Sequence, residues 1–290
     1  MKVTLISKIK IHFQDGAICG GYLFRFDSKG NCSVYKLGDF ESGKEPKPIS
    51  EFVLDKADVI VPHSNTVAFG TEFYENGDEF PLLYTNIYNN YANSPSKLNG
   101  MCLVYRLQKK GNKFTSVLVQ VIEAGFAYER GLWLSEGDTN DVRPYGNFVI
   151  DRDTNTLYAF TMRDGNKTTR YFSFKLPKAT DGGMYPINGV KRVVLTKDDI
   201  CDYFDCQYHN YIQGACFNEG KIYSVEGFTK SEVAPAAIRV IDTVLKKQIL
   251  YRQFKDFGID DRESEFIEFS DGICYYGDNY GNIYKIDFED

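Results

Sequence analysis

The sequence predicts an all-β fold, a single ring closed from five copies of a four-stranded unit. Three observations predict it. The strand–turn–strand pattern that ends the chain, over 272–286, recurs at 21–37 and again across 157–176, each copy turning on a Gly-Asn pair. Self-similarity of this kind fixes architecture more firmly than any single motif. Short apolar and aromatic runs of strand length recur in sets of four, separated by turn signals such as Asn218-Glu219-Gly220 and Ser270-Asp271-Gly272. Finally, the fifth set runs out of chain before its fourth strand, while the N-terminal stretch 2–11 alternates as a strand that belongs to no set.

The strands fall into register when the copies are aligned on the segment after the turn. That segment is 34–37, 104–107, 173–176, 238–241 and 283–286, and the strands ahead of the turn are 21–26, 81–84, 157–160, 221–225 and 273–276. A further short run precedes each pair, at 14–19, 65–69, 147–150, 213–217 and 265–269. A fourth strand follows four of the pairs, at 49–54, 114–122, 190–196 and 248–254. The expected organisation is one domain over 1–290, with units at 12–58, 62–124, 145–200, 211–257 and 263–290, the last completed by 2–11. A β-sandwich would have similar strand content, but it gives no reason for a leftover first strand to match a missing last one. Closure also leaves no long unpaired edge for another chain to extend.

A chain organised in this way resembles the five-bladed β-propeller repeat proteins, over nearly all of its length and at the level of architecture. It carries no kelch or WD signature that would narrow the family. The resemblance implies that the first strand of each blade lines a central channel. It also implies that the loops between outer and next inner strands share one face with those between second and third strands, and that ligands bind there.

Composition excludes several classes of function. The 290 residues are 43% hydrophobic and 15% aromatic, enough for an extensive core. The net charge is −6, with no basic stripe, so a nucleic-acid partner is not expected. No apolar run approaches the ~18 residues that suggest a membrane span. The seven cysteines are odd in number and sit mostly within strand-like runs, where a free thiol behaves as a small apolar group. Together these point to the cytoplasm, or to a periplasmic or extracellular location if a leader was removed.

Two constellations are candidate sites. The first is the set of polar residues at the starts of the inner strands: Gln14 and Asp15, His63 and Asn65, Asn147, Gln213, and Glu263 with Glu265. Facing one another round a channel, they could bind a polar ligand or satisfy one another with water. The second comprises the long segments 86–100, 125–145 and 197–212, which carry Trp133, Arg143, Tyr145, His209 and Tyr211. Aromatic faces mixed with charged groups suit a sugar or other polar ligand, and equally suit loops packed onto blades. Asp151-Arg152-Asp153-Thr154-Asn155 has the opening oxygens of a calcium loop but lacks its later glycine and glutamate, so it reads as a turn. Cys201, Cys206 and His209 match no common zinc spacing, and no metal site is expected there.

Phosphate-loop, dinucleotide, nucleophile-elbow and zinc-protease motifs are absent. Some five-bladed propellers are glycoside hydrolases with three carboxylates at the channel mouth. The resemblance supplies Asp15 and Glu265 (or Glu263), with His63, Asn147 and Gln213 at the matching positions of the other blades. Others are calcium-dependent nucleotidases, and Glu265-x-x-Glu268 with Tyr276-Gly-Asp-Asn-Tyr-Gly-Asn-Ile-Tyr284 is faintly similar to their ending. No cofactor is expected, with calcium in the channel the one exception this second resemblance admits. The sequence thus favours a binding protein for a small polar ligand, a glycan or a protein on the loop-rich face. The alternative is a hydrolase or lyase using Asp15 and Glu265, with His63 as a further participant.

Overall fold

The computed structural model describes residues 1–9, 13–41, 45–60, 62–87, 100–124, 142–163, 168–184, 189–207, 209, 211–227, 231–259 and 262–289. Strand β1 (Lys2–Lys8) comes first, followed by the first blade: β2 (Gly16–Cys19), β3 (Tyr22–Phe26), β4 (Asn31–Lys36) and β5 (Ser50–Val53). The second blade is β6 (Pro62–Phe69), β7 (Leu83–Ile87), β8 (Gly100–Lys110) and β9 (Lys113–Ala124). The third begins with β10 (Val142–Asp151), β11 (Thr156–Arg163) and β12 (Thr169–Lys175).

The chain then departs from the expected order. β13 (Gly183–Met184) and β14 (Lys191–Leu195) turn back to the second blade, where β14 pairs in parallel with β9, Lys191 opposite Gln120 and Leu195 opposite Ala124. The outer strand of the third blade is instead β15 (Ile200–Cys206), antiparallel to β12. Assigning 190–196 to the third blade is therefore corrected, and so are that blade's bounds. The segment 190–196 reads as a strand, but its local pattern does not say which sheet edge it will join, and β15 lies within 197–212, expected as a loop. The pairing is fixed by distant residues: Arg192 reaches buried Glu123 on β9 at 2.5 Å, and Arg170 on β12 meets Asp205 on β15 at 2.7 Å.

The fourth blade, β16 (Ile212–Asn218), β17 (Lys221–Glu226), β18 (Ala237–Asp242) and β19 (Lys247–Gln253), follows the expected plan. The fifth has only β20 (Ser264–Ser270), β21 (Ile273–Asp278) and β22 (Asn282–Asp287) from the C-terminus, and β1 pairs antiparallel to β22 as its outer strand. The architecture is a five-bladed β-propeller closed by its N-terminus.

Apolar side chains on both faces of each sheet pack against the neighbouring blades, so the core lies in the seams between blades. Among the described residues the buried side chains form five clusters, one for each seam. The seam that closes the ring joins Ile18, Leu23 and Tyr35 of the first blade to Phe266, Tyr275 and Ile283 of the fifth. The repeated turn has a shared hydrogen-bond pattern. In both Asp27–Asn31 and Asp278–Asn282, the aspartate accepts from the backbone N–H groups two and four residues on and from the asparagine side chain. Glycine at Gly30 and Gly281 supplies the left-handed conformation that each turn needs. Asp151 likewise accepts from the N–H groups of Asp153 and Thr154, consistent with a turn.

Candidate functional site

The inner strands β2, β6, β10, β16 and β20 come together at the axis, and β6 approaches β16 directly across it. The ends of these strands that begin the blades form the upper mouth of the channel. Four of the five break register there, between Pro62 and Val67, Arg143 and Asn147, Ile212 and Gly214, and Ser264 and Phe266. Such bulges re-aim side chains locally and often lie beside binding sites. Ser64, within the first break, and Tyr211, immediately ahead of the third, hold left-handed backbone with φ of 56° and 54°. For residues other than glycine that conformation stores strain, which tends to collect at functional sites.

Two layers of polar side chains follow. In the outer layer, half-buried Gln213 donates through Nε2 to Glu263 Oε1 at 2.5 Å, and Asn279 Nδ2 donates to Glu263 Oε2 at 3.4 Å. Burial raises the Glu263 carboxyl, and the two amide hydrogen bonds oppose that rise. Asn86 Nδ2 donates to Asn65 Oδ1, so one amide of the predicted ring is held by a residue from the neighbouring strand β7. His63 is half-buried, and burial lowers its pKa. Asn147 is fully committed to the scaffold: its Oδ1 accepts from Thr66 Oγ1 at 3.0 Å and its Nδ2 donates to the Ile212 carbonyl at 3.0 Å. It therefore ties three blades together.

The inner layer holds two carboxyls and a guanidinium. Asp15 Oδ2 accepts from the Val67 N–H at 2.9 Å, while Asp15 Oδ1 and Glu265 Oε2 are buried without hydrogen-bond partners. Between the first and fifth blades, the Arg25 guanidinium lies over the rings of Phe266 at 4.8 Å and Phe13 at 5.4 Å. Its Nε and Nη1 are likewise unpaired. Burial pushes both carboxyls well up, with Arg25 pulling each back, and it lowers Arg25 to about 10. Arg25 thus keeps its charge at neutral pH. Gly214 seals this layer from the fourth blade: a Cβ there would lie 2.9 Å from the Glu265 carbonyl oxygen and 3.3 Å from Asp15 Oδ1. Asp15 and Glu265 are accordingly packed into the axis. They do not stand on opposite walls of an open cleft.

At the opposite end, Arg152 from the β10–β11 turn extends towards buried Glu268 on β20, 3.5 Å away. Burial lifts Glu268 to about 7, against the pull of Arg152.

The structure thus brings together Gln213 and Glu263, and packs Asp15 and Glu265 behind them. It separates the second constellation. His209 is not on a surface loop; it is completely buried between the third and fourth blades. Residues 200–206 of the segment expected as a loop form β15, and Tyr211 is exposed beside it. Cys201 is exposed and Cys206 buried, because residues five apart on a strand face opposite ways. Trp133 and the side chains of Arg143 and Tyr145 lie outside the described residues. Among the described residues, no group of three or more His, Cys, Asp or Glu side chains could hold a metal ion, and no helix is long and apolar enough to cross a membrane. Reading the sequence alone misses Arg25, Asn86 and Asn279. Arg25 had a signal, a charge inside the otherwise apolar run Tyr22-Leu-Phe-Arg-Phe26, whereas the two asparagines sit in ordinary turn and strand-end contexts.

No family model and no curated protein matches the chain. Among solved structures it is similar to the Myxococcus xanthus glutaminyl cyclase, at 10% identity over 99% of this chain and 94% of that one, with a TM-score of 0.49. It is also similar to the Kuenenia stuttgartiensis hydrazine synthase, at 11% identity over 91% of this chain and 60% of that one, with a TM-score of 0.42. The propeller assignment rests on the five sheets, the five seams and the closing strand.

Proposed function

We propose that the protein is a binding module that takes a small polar ligand, a glycan by class, at the upper mouth of the channel. The observation that carries this reading is the loss of register at the upper ends of four inner strands, beside the Gln213–Glu263–Asn279 set. Amide and carboxylate groups that are half-buried and already oriented can exchange their mutual hydrogen bonds for those of a hydroxyl-rich ligand with little ordering cost. Strained backbone at Ser64 and Tyr211 supports a mouth shaped for recognition. A second reading, a hydrolase or lyase, draws support from Asp15 and Glu265, whose carboxyls burial raises and whose free oxygens could take or give protons. Against it stands the tight packing of both groups under Gly214.

Calorimetric titration with a panel of neutral oligosaccharides tests the binding reading. Gln213→Ala and Glu263→Gln should each weaken binding by roughly ten- to a hundredfold, the cost of losing a hydrogen bond to a charged group. Unchanged affinity in both variants would place the ligand elsewhere.

A further inference from the structure

We infer that His209 is a proton-operated latch on the seam between the third and fourth blades, held in one tautomer by its neighbours. This inference stands apart from the ligand reading. His209 Nδ1 lies 3.3 Å from Glu226 Oε2 and 3.4 Å from Ser224 Oγ, and Nε2 lies 3.1 Å from the Tyr171 hydroxyl. The Glu226 carboxylate is an acceptor, so Nδ1 carries the proton and donates it there. Nε2 then accepts from the Tyr171 O–H. The His209 backbone N–H donates to Thr169 Oγ1 at 2.8 Å, which fixes the connection that leads into β16.

The surroundings leave no place for a second proton. Glu226 is already neutralised by Arg239, through Nη2 at 2.7 Å and Nε at 3.3 Å. Among the described residues, the titratable and charged groups that face this pocket are Tyr171 on β12, Cys206 on β15, Glu226 on β17 and Arg239 on β18. Protonated His209 would therefore add an uncompensated buried positive charge near Arg239. Its new N–H would force the Tyr171 hydroxyl, which burial keeps protonated, from donor to acceptor and leave the Tyr171 proton without its imidazole partner. Burial and Arg239 accordingly hold the imidazole well below its usual pKa. In the unfolded or opened chain the ring takes a proton below about 6.5. The seam's stability is therefore complete above that pH and is lost as pH falls towards the folded value. The latch controls a sensitive place: Ile212, three residues on, accepts from Asn147, and Gln213 reaches Glu263 at the mouth.

The test uses the whole protein. With three histidines in the chain, nitrogen-15 spectra of the imidazoles resolve His209 directly. The expected result at neutral pH is a neutral ring protonated at Nδ1. On acidification, amides of β12 and β16 should lose hydrogen-exchange protection by about tenfold per pH unit, as one linked proton requires, while amides of the fourth–fifth seam keep theirs. His209→Gln, which cannot titrate, should lack that local step. An Nε2-protonated or charged ring at neutral pH in the wild type would overturn the inference, whether or not the variant folds. The same acid step persisting in His209→Gln would also overturn it.

Discussion

Deleting residues 2–8 should unzip the fifth blade, some two hundred and eighty positions away in sequence. Among the described residues, the paired positions of β1, from Lys2 opposite Asp287 to Lys8 opposite Asn282, supply the only partner for the outer edge of β22. Six cross-strand pairs lost at about 1 kcal/mol per net hydrogen bond amount to roughly 6 kcal/mol, a large share of a domain's stability. The damage should spread further, because β21 and β22 line both seams of the fifth blade through Tyr275, Tyr276 and Ile283. The expected readout is loss of hydrogen-exchange protection across 273–287 and a lower Tm. A synthetic peptide of residues 1–9 added in trans should restore both. Normal protection of 273–287 in the truncated chain would show that the ring closes without its first strand.

Glu226→Ala should cost as much from a single atom group. The change leaves Arg239 buried without its carboxylate and removes the acceptor for His209 Nδ1. Breaking a buried pair by deleting one partner typically costs 3–5 kcal/mol, most of it from the charge left behind. Arg239 retains Gln248 and the Tyr251 ring, 4.6 Å away, as partial compensation. Replacing both members together, with Glu226→Leu and Arg239→Met, should recover most of the loss, because apolar packing can replace a buried ion pair. Urea denaturation of the three proteins measures the difference. A single variant no less stable than the double one would remove the network from the account of this seam.

The ring was legible in the sequence because each of its determinants is local. Alternation marked the strands, and the Asp-x-x-Gly-Asn pattern at Asp27 and Asp278 marked turns whose hydrogen bonds are the same in both blades. The closing strand followed from counting. What failed was the outer edge of the third blade: the local pattern offers 190–196 as its last strand and 197–212 as a loop, whereas contacts with distant residues, Glu123 and Arg170 among them, accompany the pairing of β14 with β9 and of β15 with β12. The candidate site was legible only as a set of polar residues at equivalent positions, because the repeat places every strand start at the same end. Their pairing was not legible. The separate roles of Glu263 at the mouth and Glu265 in the axis depend on the register break in β20, which the sequence does not announce. His209 misled for the same reason, since an aromatic segment near a strand end looks alike whether it covers a surface or fills a seam.

On the proposed reading, the mouth recognises a ligand while the carboxyls behind it are packed into the axis and do no chemistry. One comparison tests this most directly: the wild type and the Asp15→Asn, Glu265→Gln double variant, each incubated with the oligosaccharide panel and followed for both binding and product release. The prediction is unchanged affinity in the variant and no turnover by either protein. Product release by the wild type, abolished in the variant while binding persists, would contradict the account and assign the channel to catalysis.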